Sequence, residues 1–185
     1  MKDGDFILTE STAILEYMVQ KHKAPDHWFP SELQPRARVN EYLSWQHTNL
    51  RATGSKVFVL KAVFPVMMGS EVPKEKMDAA LGALNESVAL LENYFLQDKP
   101  FIAGDQISVA DIVAIAEIMQ PVGTGVDVFE GRLKLSAWRD RVKAALGEKL
   151  FKEANEVIMK INDLTKNVNK TILEMMKPKF QMMFS

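Results

Sequence analysis

The stretch SVADIVAIAEIMQP, residues 108–121, decides how the rest of the chain is read. Ser108 is a favoured helix N-cap, and Asp111 stands three residues on, where a capping box puts its reciprocal acceptor. Aspartate replaces the more usual Glu or Gln there, but the logic is the same. Ile107 and Ile112 hold the two positions of a hydrophobic staple. From Val109 to Met119 the run is apolar nearly all round, broken only by Asp111 and Glu117. A helix apolar on every side must be covered on every side, so this one is predicted at the centre of a helical bundle. Asp111 has the look of a buried catalytic acid, but capping accounts for it fully, and it is assigned to folding.

The flanking segments agree with a bundle. Downstream, helices are predicted at about Leu133 to Leu146 and about Lys149 to Ile161. Upstream, Pro73 opens a helix in which Met77, Leu81, Leu84, Val88, Leu91 and Phe95 recur every three or four residues, until Lys99-Pro100 ends it. Pro35 suits the first turn of an earlier helix carrying Val39, Tyr42, Leu43 and Leu50. A helical run from Val57 to Val63 is predicted to stop near Phe64-Pro65. Residues 22–35, HKAPDHWFPSELQP, hold three prolines and read as a linker. Ahead of them, DGDFILT (3–9) reads as a turn and a short strand that needs ladder partners, and none is evident downstream. Thr9-Glu10-Ser11 then opens an amphipathic helix to about Lys21, with Ala13, Ile14, Tyr17 and Met18 on its apolar face.

Composition narrows the function. The chain has 185 residues, 47% hydrophobic and 25% charged, with a formal net charge of −1. That balance gives no whole-molecule field favouring nucleic acid or acidic membranes. There are no cysteines, which excludes disulfides, thiolate metal sites and a cysteine nucleophile. His22, His27 and His47 are too dispersed for a metal site. No apolar run approaches the roughly 20 residues that span a bilayer, and the first residues carry no signal-peptide pattern. A cytoplasmic protein is expected.

Two polar groupings are candidates for chemistry. A helix N-terminus offers unpaired N–H groups and partial positive charge, so Glu10-Ser11 is either an ordinary cap or an anion site with a carboxylate beside it. Ser44 and His47, with Thr48 and Arg51, form a polar stripe opposite Val39, Leu43 and Leu50. That stripe is either a solvated face or the wall of a site. His47 reads as structural or superficial. The pairs Met67-Met68, Met175-Met176 and Met182-Met183 are either core or an adaptable apolar lining.

DGDFILTESTAILEY, RARVNEYLSWQHTNLR, DKPFIAGDQISVADIVAIAEIMQPV and VFEGRLKLSAWRDRV, in this order, resemble a theta-class glutathione transferase over nearly the whole chain to about Asp163. The resemblance implies a mainly α fold: a glutathione-transferase C-terminal helical bundle preceded by a strand and helix from a thioredoxin-like domain. On that plan, residues 1–22 are a remnant of the glutathione-binding domain and 23–35 a linker. Residues 36–163 are the helical domain and 164–185 a tail. The chain begins late, just before the last strand of the first domain.

The resemblance also implies roles. Glu10 faces the ammonium of the γ-glutamyl end of glutathione, and Ser11 its carboxylate. Thr48 and Arg51 complete the glutathione site, with Arg51 near the sulfur, where a cation favours thiolate. Met119, Met176 and Phe180 line the substrate pocket. Some relatives place tryptophan directly after a proline in the tail; here Pro178 precedes Lys179, a cation in place of an apolar lid. The family's thiol-activating serine has no match, so low activity is expected of this chain.

The implied reaction is detoxifying conjugation of glutathione to electrophiles such as alkyl halides and epoxides, or reduction of organic hydroperoxides. Glutathione is the co-substrate, with no other cofactor and no metal. A homodimer is implied, without nucleic-acid or membrane partners. The alternative is a non-catalytic helical scaffold of the kind that also uses this fold.

Overall fold

The computed structural model describes residues 1–168 together with Glu174, Met175, Lys177, Pro178 and Met182. The short strand, for which no partner is evident downstream, finds one just upstream. β1 (Lys2–Asp3) and β2 (Phe6–Ile7) form an antiparallel ribbon, with Lys2 opposite Ile7 and Asp3 opposite Phe6. Gly4, at φ 59°, permits the tight reversal between them.

α1 (Ser11–Lys21) is fastened to the ribbon through Asp3, which accepts from Tyr17 Oη at 2.5 Å and pairs with Lys21. Phe6 and Tyr17 add a ring contact at 5.4 Å. The residues of α1 that pack on the helical core are Leu15 and Val19, not Met18, which is exposed. The helix lies between two partners, so its apolar residues serve two faces and the simple stripe is lost.

After a 3₁₀ turn at Asp26–Trp28, α2 (Leu33–Thr48) opens with Pro35 in its first turn. α2 does not continue to Arg51. Asn49 leaves helical geometry (φ −113°, ψ −88°), and its side-chain amide donates to Trp45 O at 2.8 Å. This is the local competition that makes asparagine a poor interior helix residue. Thr48 and Arg51 therefore stand on different helices, and the predicted stripe is broken. α3 (Leu50–Phe58) follows at once.

The predicted stop at Phe64-Pro65 is also corrected. A proline ring clashes with the carbonyl four residues before it. Here Val59–Val63 widens into a π-helical turn, in which Phe64 N bonds to Val59 O, and α4 (Phe64–Met68) carries on to Gly69 at φ 71°. α5 (Lys74–Leu90) has its predicted apolar face, then widens in the same way over Leu91–Leu96. It ends at Gln97 (φ 55°), before Lys99-Pro100.

α6 (Val109–Gly123) is the axis of the bundle, as predicted, packed against α2, α3, α7 and α8. Two close crossings fix its neighbours. A Cβ on Gly54 of α3 would touch Glu117 O at 3.4 Å, and one on Gly123 would collide with the Ile158 backbone. α7 (Leu133–Leu146) and α8 (Glu148–Met159) stand near their predicted places, and a short α9 (Ile161–Leu164) that was not foreseen follows.

The capping box is present, with Ser108 N donating to Asp111 Oδ2 at 2.9 Å and Ser108 Oγ accepting from Ala110 N at 3.3 Å. Ile107 joins the core, whereas Ile112 is half-buried and lies outside the core cluster. Asp111 does more than cap. Its Oδ1 accepts from Ile102 N at 2.9 Å and from Trp138 Nε1 at 2.8 Å. Burial pushes the Asp111 carboxyl up from its ordinary value, and these donors draw it back.

Losing the Ser108 hydroxyl removes a cap and one donor to a buried carboxylate. Ser108→Ala is expected to lower unfolding free energy by about 1–3 kcal/mol in urea titration. Trp138→Phe strips a different donor and is expected to cost a similar amount, and neither change is expected to alter ligand affinity.

Candidate functional site

Two parts of the chain that are 31 or more residues apart meet across one cavity of about 400 Å³. The start of α1 contributes Glu10, Ser11 and Thr12. The junction of α2 and α3 contributes Leu43, Gln46, His47 and Arg51. Three of the four residues expected to bind one ligand thus share a wall-to-wall space. Thr48 is not among the lining residues; its hydroxyl accepts from Asn49 Nδ2 at 3.2 Å.

The start of α1 is not an ordinary cap. Glu10 occupies the N-cap position, but its side chain makes no cap hydrogen bond. Its backbone has φ 66° and ψ 115°, a region that L-residues with a side chain seldom occupy. Such strain persists only where surrounding structure imposes it, and it concentrates at ligand sites. An uncapped, partly positive helix end beside an exposed carboxylate is chemically suited to a group carrying both charges.

Arg51 is not a freely solvated cation. Its Nη1 lies 3.0 Å from Glu117 Oε1. Glu117 Oε2 accepts from Gln120 Nε2 at 2.8 Å, and Gln120 Oε1 accepts from Ser55 Oγ at 3.1 Å. The side chain of Arg51 is 48% exposed against 8% for Glu117. The guanidinium is therefore held from its buried side and open on the other. Burial pushes the Glu117 carboxyl up, and Arg51 counters part of that rise.

Sequence reasoning missed three contributors. Gln46 and His47 line the cavity, although His47 read as structural or superficial. Glu117 was visible as a charge in an apolar helix, but its partner on α3 was not.

The substrate-pocket residues are placed only in part. Met119 is buried and borders two apolar hollows that share Phe151 of α8. Met176 and Phe180, and the Lys179 departure, lie outside the described residues. No cluster of three or more His, Asp or Glu among the described residues is arranged to hold a metal ion, and no described helix is long and apolar enough to cross a membrane.

A test separates positioning from stability. Because the folded Glu117 carboxyl is raised, its contribution to stability is present below the unfolded carboxyl range and lost as pH rises through the folded value. Glu117→Gln removes that component. Relative to the parent chain, the variant is expected to gain thermal stability as pH rises from acid to neutral. A variant that falls progressively behind the parent over that range would show instead that the ion pair stabilises the fold.

Comparison with known proteins fits this arrangement. Residues 57–145 match the family model described as the glutathione S-transferase C-terminal domain. The chain is 55% identical over 163 residues to human glutathione S-transferase theta-1, covering 88% of this chain and 68% of that protein. It is 52% identical over 179 residues to the bovine theta-1 enzyme, covering 97% and 74%. The apo structure of human glutathione S-transferase T1-1 superposes with a TM-score of 0.92 at 50% identity, across 100% of this chain and 77% of that one. A human theta-class transferase in complex with the glutathione conjugate of 1-menaphthyl sulfate superposes with a TM-score of 0.85 at 47% identity, across 89% and 67%. Identity of this extent, over more than two thirds of the theta-1 relatives and with the same helical architecture, places the chain in the theta class of the glutathione S-transferase family.

Proposed function

We propose that the cavity at the start of α1 binds glutathione. On this reading Glu10 takes the γ-glutamyl ammonium. The hydroxyl and first-turn amides at Ser11 take its carboxylate, and Arg51 stands toward the sulfur. One observation carries the reading: the uncapped, strained start of α1 opens on the same cavity as the exposed side of Arg51. The human theta-class structure holding a glutathione conjugate supports it by relationship.

The associated chemistry is conjugation to small electrophiles such as alkyl halides and epoxides, or reduction of organic hydroperoxides, in the cytoplasm, with glutathione as the only co-substrate. Residues 1–22 then act as the end of a glutathione-binding domain, 23–35 as its linker and 36–163 as the helical domain. A homodimer is the assembly proposed, with residues 164–185 as its tail. Met119 serves that substrate's pocket, beside Phe151.

Among the described residues Ser11 is the only serine lining the cavity, and on this reading the γ-glutamyl end occupies it. Thiol activation then falls to Arg51, a cation already shared with Glu117. A cation lowers a thiol pKa without supplying the hydrogen bond that also orients the sulfur. Turnover no faster than the uncatalysed reaction is expected of the 185-residue chain.

Glutathione binding is expected to register by nuclear magnetic resonance titration at Ser11 and Thr12, and to weaken about tenfold or more in Glu10→Gln and in Ser11→Ala. Unaltered affinity in the double variant would reduce Thr9-Glu10-Ser11 to a plain helix start. With glutathione and a small alkyl halide or epoxide, the purified chain is expected to match buffer. Turnover above background that Arg51→Ala abolishes would show that Arg51 suffices for activation.

A further inference from the structure

The larger of the two hollows beside Met119 measures about 600 Å³ and opens between α6, α7 and α8. Among the described residues, three apolar side chains line it: Met119, Phe151 and Met159. Two of the three are thioethers. The charged residues at its edge stand largely in pairs, with Lys143 bonded to Glu148 at 3.0 Å and Lys160 to Glu156 at 2.6 Å. The apolar character of the hollow therefore depends mainly on methionine.

The two sulfurs are not equally protected. Met119 is buried, at 7% exposed, whereas Met159, the last residue of α8, is 52% exposed. The chain has no cysteine, so no thiolate within it competes with methionine for an oxidant. Oxidation to the sulfoxide turns a flexible apolar side chain into a polar one and disrupts methionine-lined surfaces. A sulfoxide oxygen at the edge of the hollow needs water or another donor beside it, and an apolar ligand would displace the water while supplying no donor.

We propose that Met159 is an oxidation site that controls this hollow: an organic hydroperoxide converts its thioether to the sulfoxide, and the hollow then loses affinity for apolar ligands. The proposal rests on the reading of Met119 and Phe151 as substrate-pocket residues, and hydroperoxides are a class already named among the substrates. In the step, a lone pair of the Met159 sulfur attacks the outer peroxide oxygen. The S–O bond forms and the O–O bond breaks. The departing alkoxide takes up the hydroperoxide proton and leaves as the alcohol. Sulfur loses two electrons and the peroxide gains them, so no further reactant is required. A hydroperoxide thereby disables the pocket that receives it.

The test uses the complete chain, treated with tert-butyl hydroperoxide and then freed of oxidant. Peptide mass mapping follows the gain of one oxygen at each methionine. Fluorescence titration with Nile red, a neutral apolar dye, reads the hollow, and the isotope-labelled methyl resonance of Met119 reports whether the dye sits there. Met159 is expected to oxidise about tenfold or more faster than Met119, following exposure. Its oxidation is expected to weaken dye binding about tenfold or more, the scale of burying one unpaired polar group. Treatment with methionine sulfoxide reductases is expected to restore binding. Met159→Leu keeps the side chain apolar and removes the sulfur, so its dye affinity is expected to survive the oxidant. Met175, 78% exposed and absent from the lining, is the internal control.

A Met159 that stays a thioether while Met175 oxidises overturns the proposal. So does dye binding that survives oxidation of Met159, or that is lost equally in Met159→Leu. If that variant does not fold, the time course in the parent decides: loss of dye binding must follow Met159 and not Met175. A dye that leaves the Met119 methyl resonance unmoved in the untreated parent overturns the substrate-pocket reading and this proposal with it.

Discussion

A single carboxylate organises the bundle. Asp111 sits at the start of the central helix and accepts from Ser108 N, Ser108 Oγ, Ile102 N and Trp138 Nε1. These donors come from the cap of α6, the preceding loop and the middle of α7. Withdrawing a carboxylate from water is costly unless its lone pairs are satisfied, so each donor is needed where it is. The requirement fixes α7 against α6 and seats the loop that α6 leaves. His27 Nδ1 lies 2.6 Å from Ile107 O, so the linker is tied to the same loop. With α6 immobile, Glu117 two turns along it presents a fixed carboxylate to α3, and Arg51 is held accordingly.

Legibility from sequence followed the range of the interaction. The α6 cap was readable because a capping box spans four consecutive residues. The α5 stripe and the locations of α7 and α8 were readable because helical periodicity repeats over several turns. What the sequence could not display was contact between distant segments. Asp111 was correctly given to folding, but its bond to Trp138, 27 residues away, leaves no local trace. The break at Asn49 was missed because asparagine is tolerated within helices and its side-chain bond to Trp45 O depends on the local path. The π-helical turn before Pro65 was misread as a stop, since a proline signals strain without saying how the chain relieves it. The upstream partner of β2 was not foreseen because it is only two residues long.

In the cavity the same distinction applies. Glu10, Ser11 and Arg51 were proposed on family likeness, and they do line one space. Gln46 was invisible because nothing in WQHTN distinguishes a buried glutamine from a solvated one. Only the packing of α2 against its neighbours, which leaves Gln46 almost without exposed surface, decides between the two. Polar groups in this protein thus fall into two sorts. Those around Asp111 are saturated and serve architecture. Those around the cavity are left incomplete, which is a condition for binding anything else.

The strained backbone of Glu10 has an evolutionary consequence. At φ 66° the residue that folds most comfortably is glycine, which lacks the steric penalty carried by every other residue there. Glycine would also delete the carboxylate that stands at the cavity mouth. Selection for durability and selection for ligand recognition therefore pull this one position in opposite directions. Screens for heat tolerance that ignore binding should drift toward glycine at residue 10, and the drift itself would record how much stability the site has forgone.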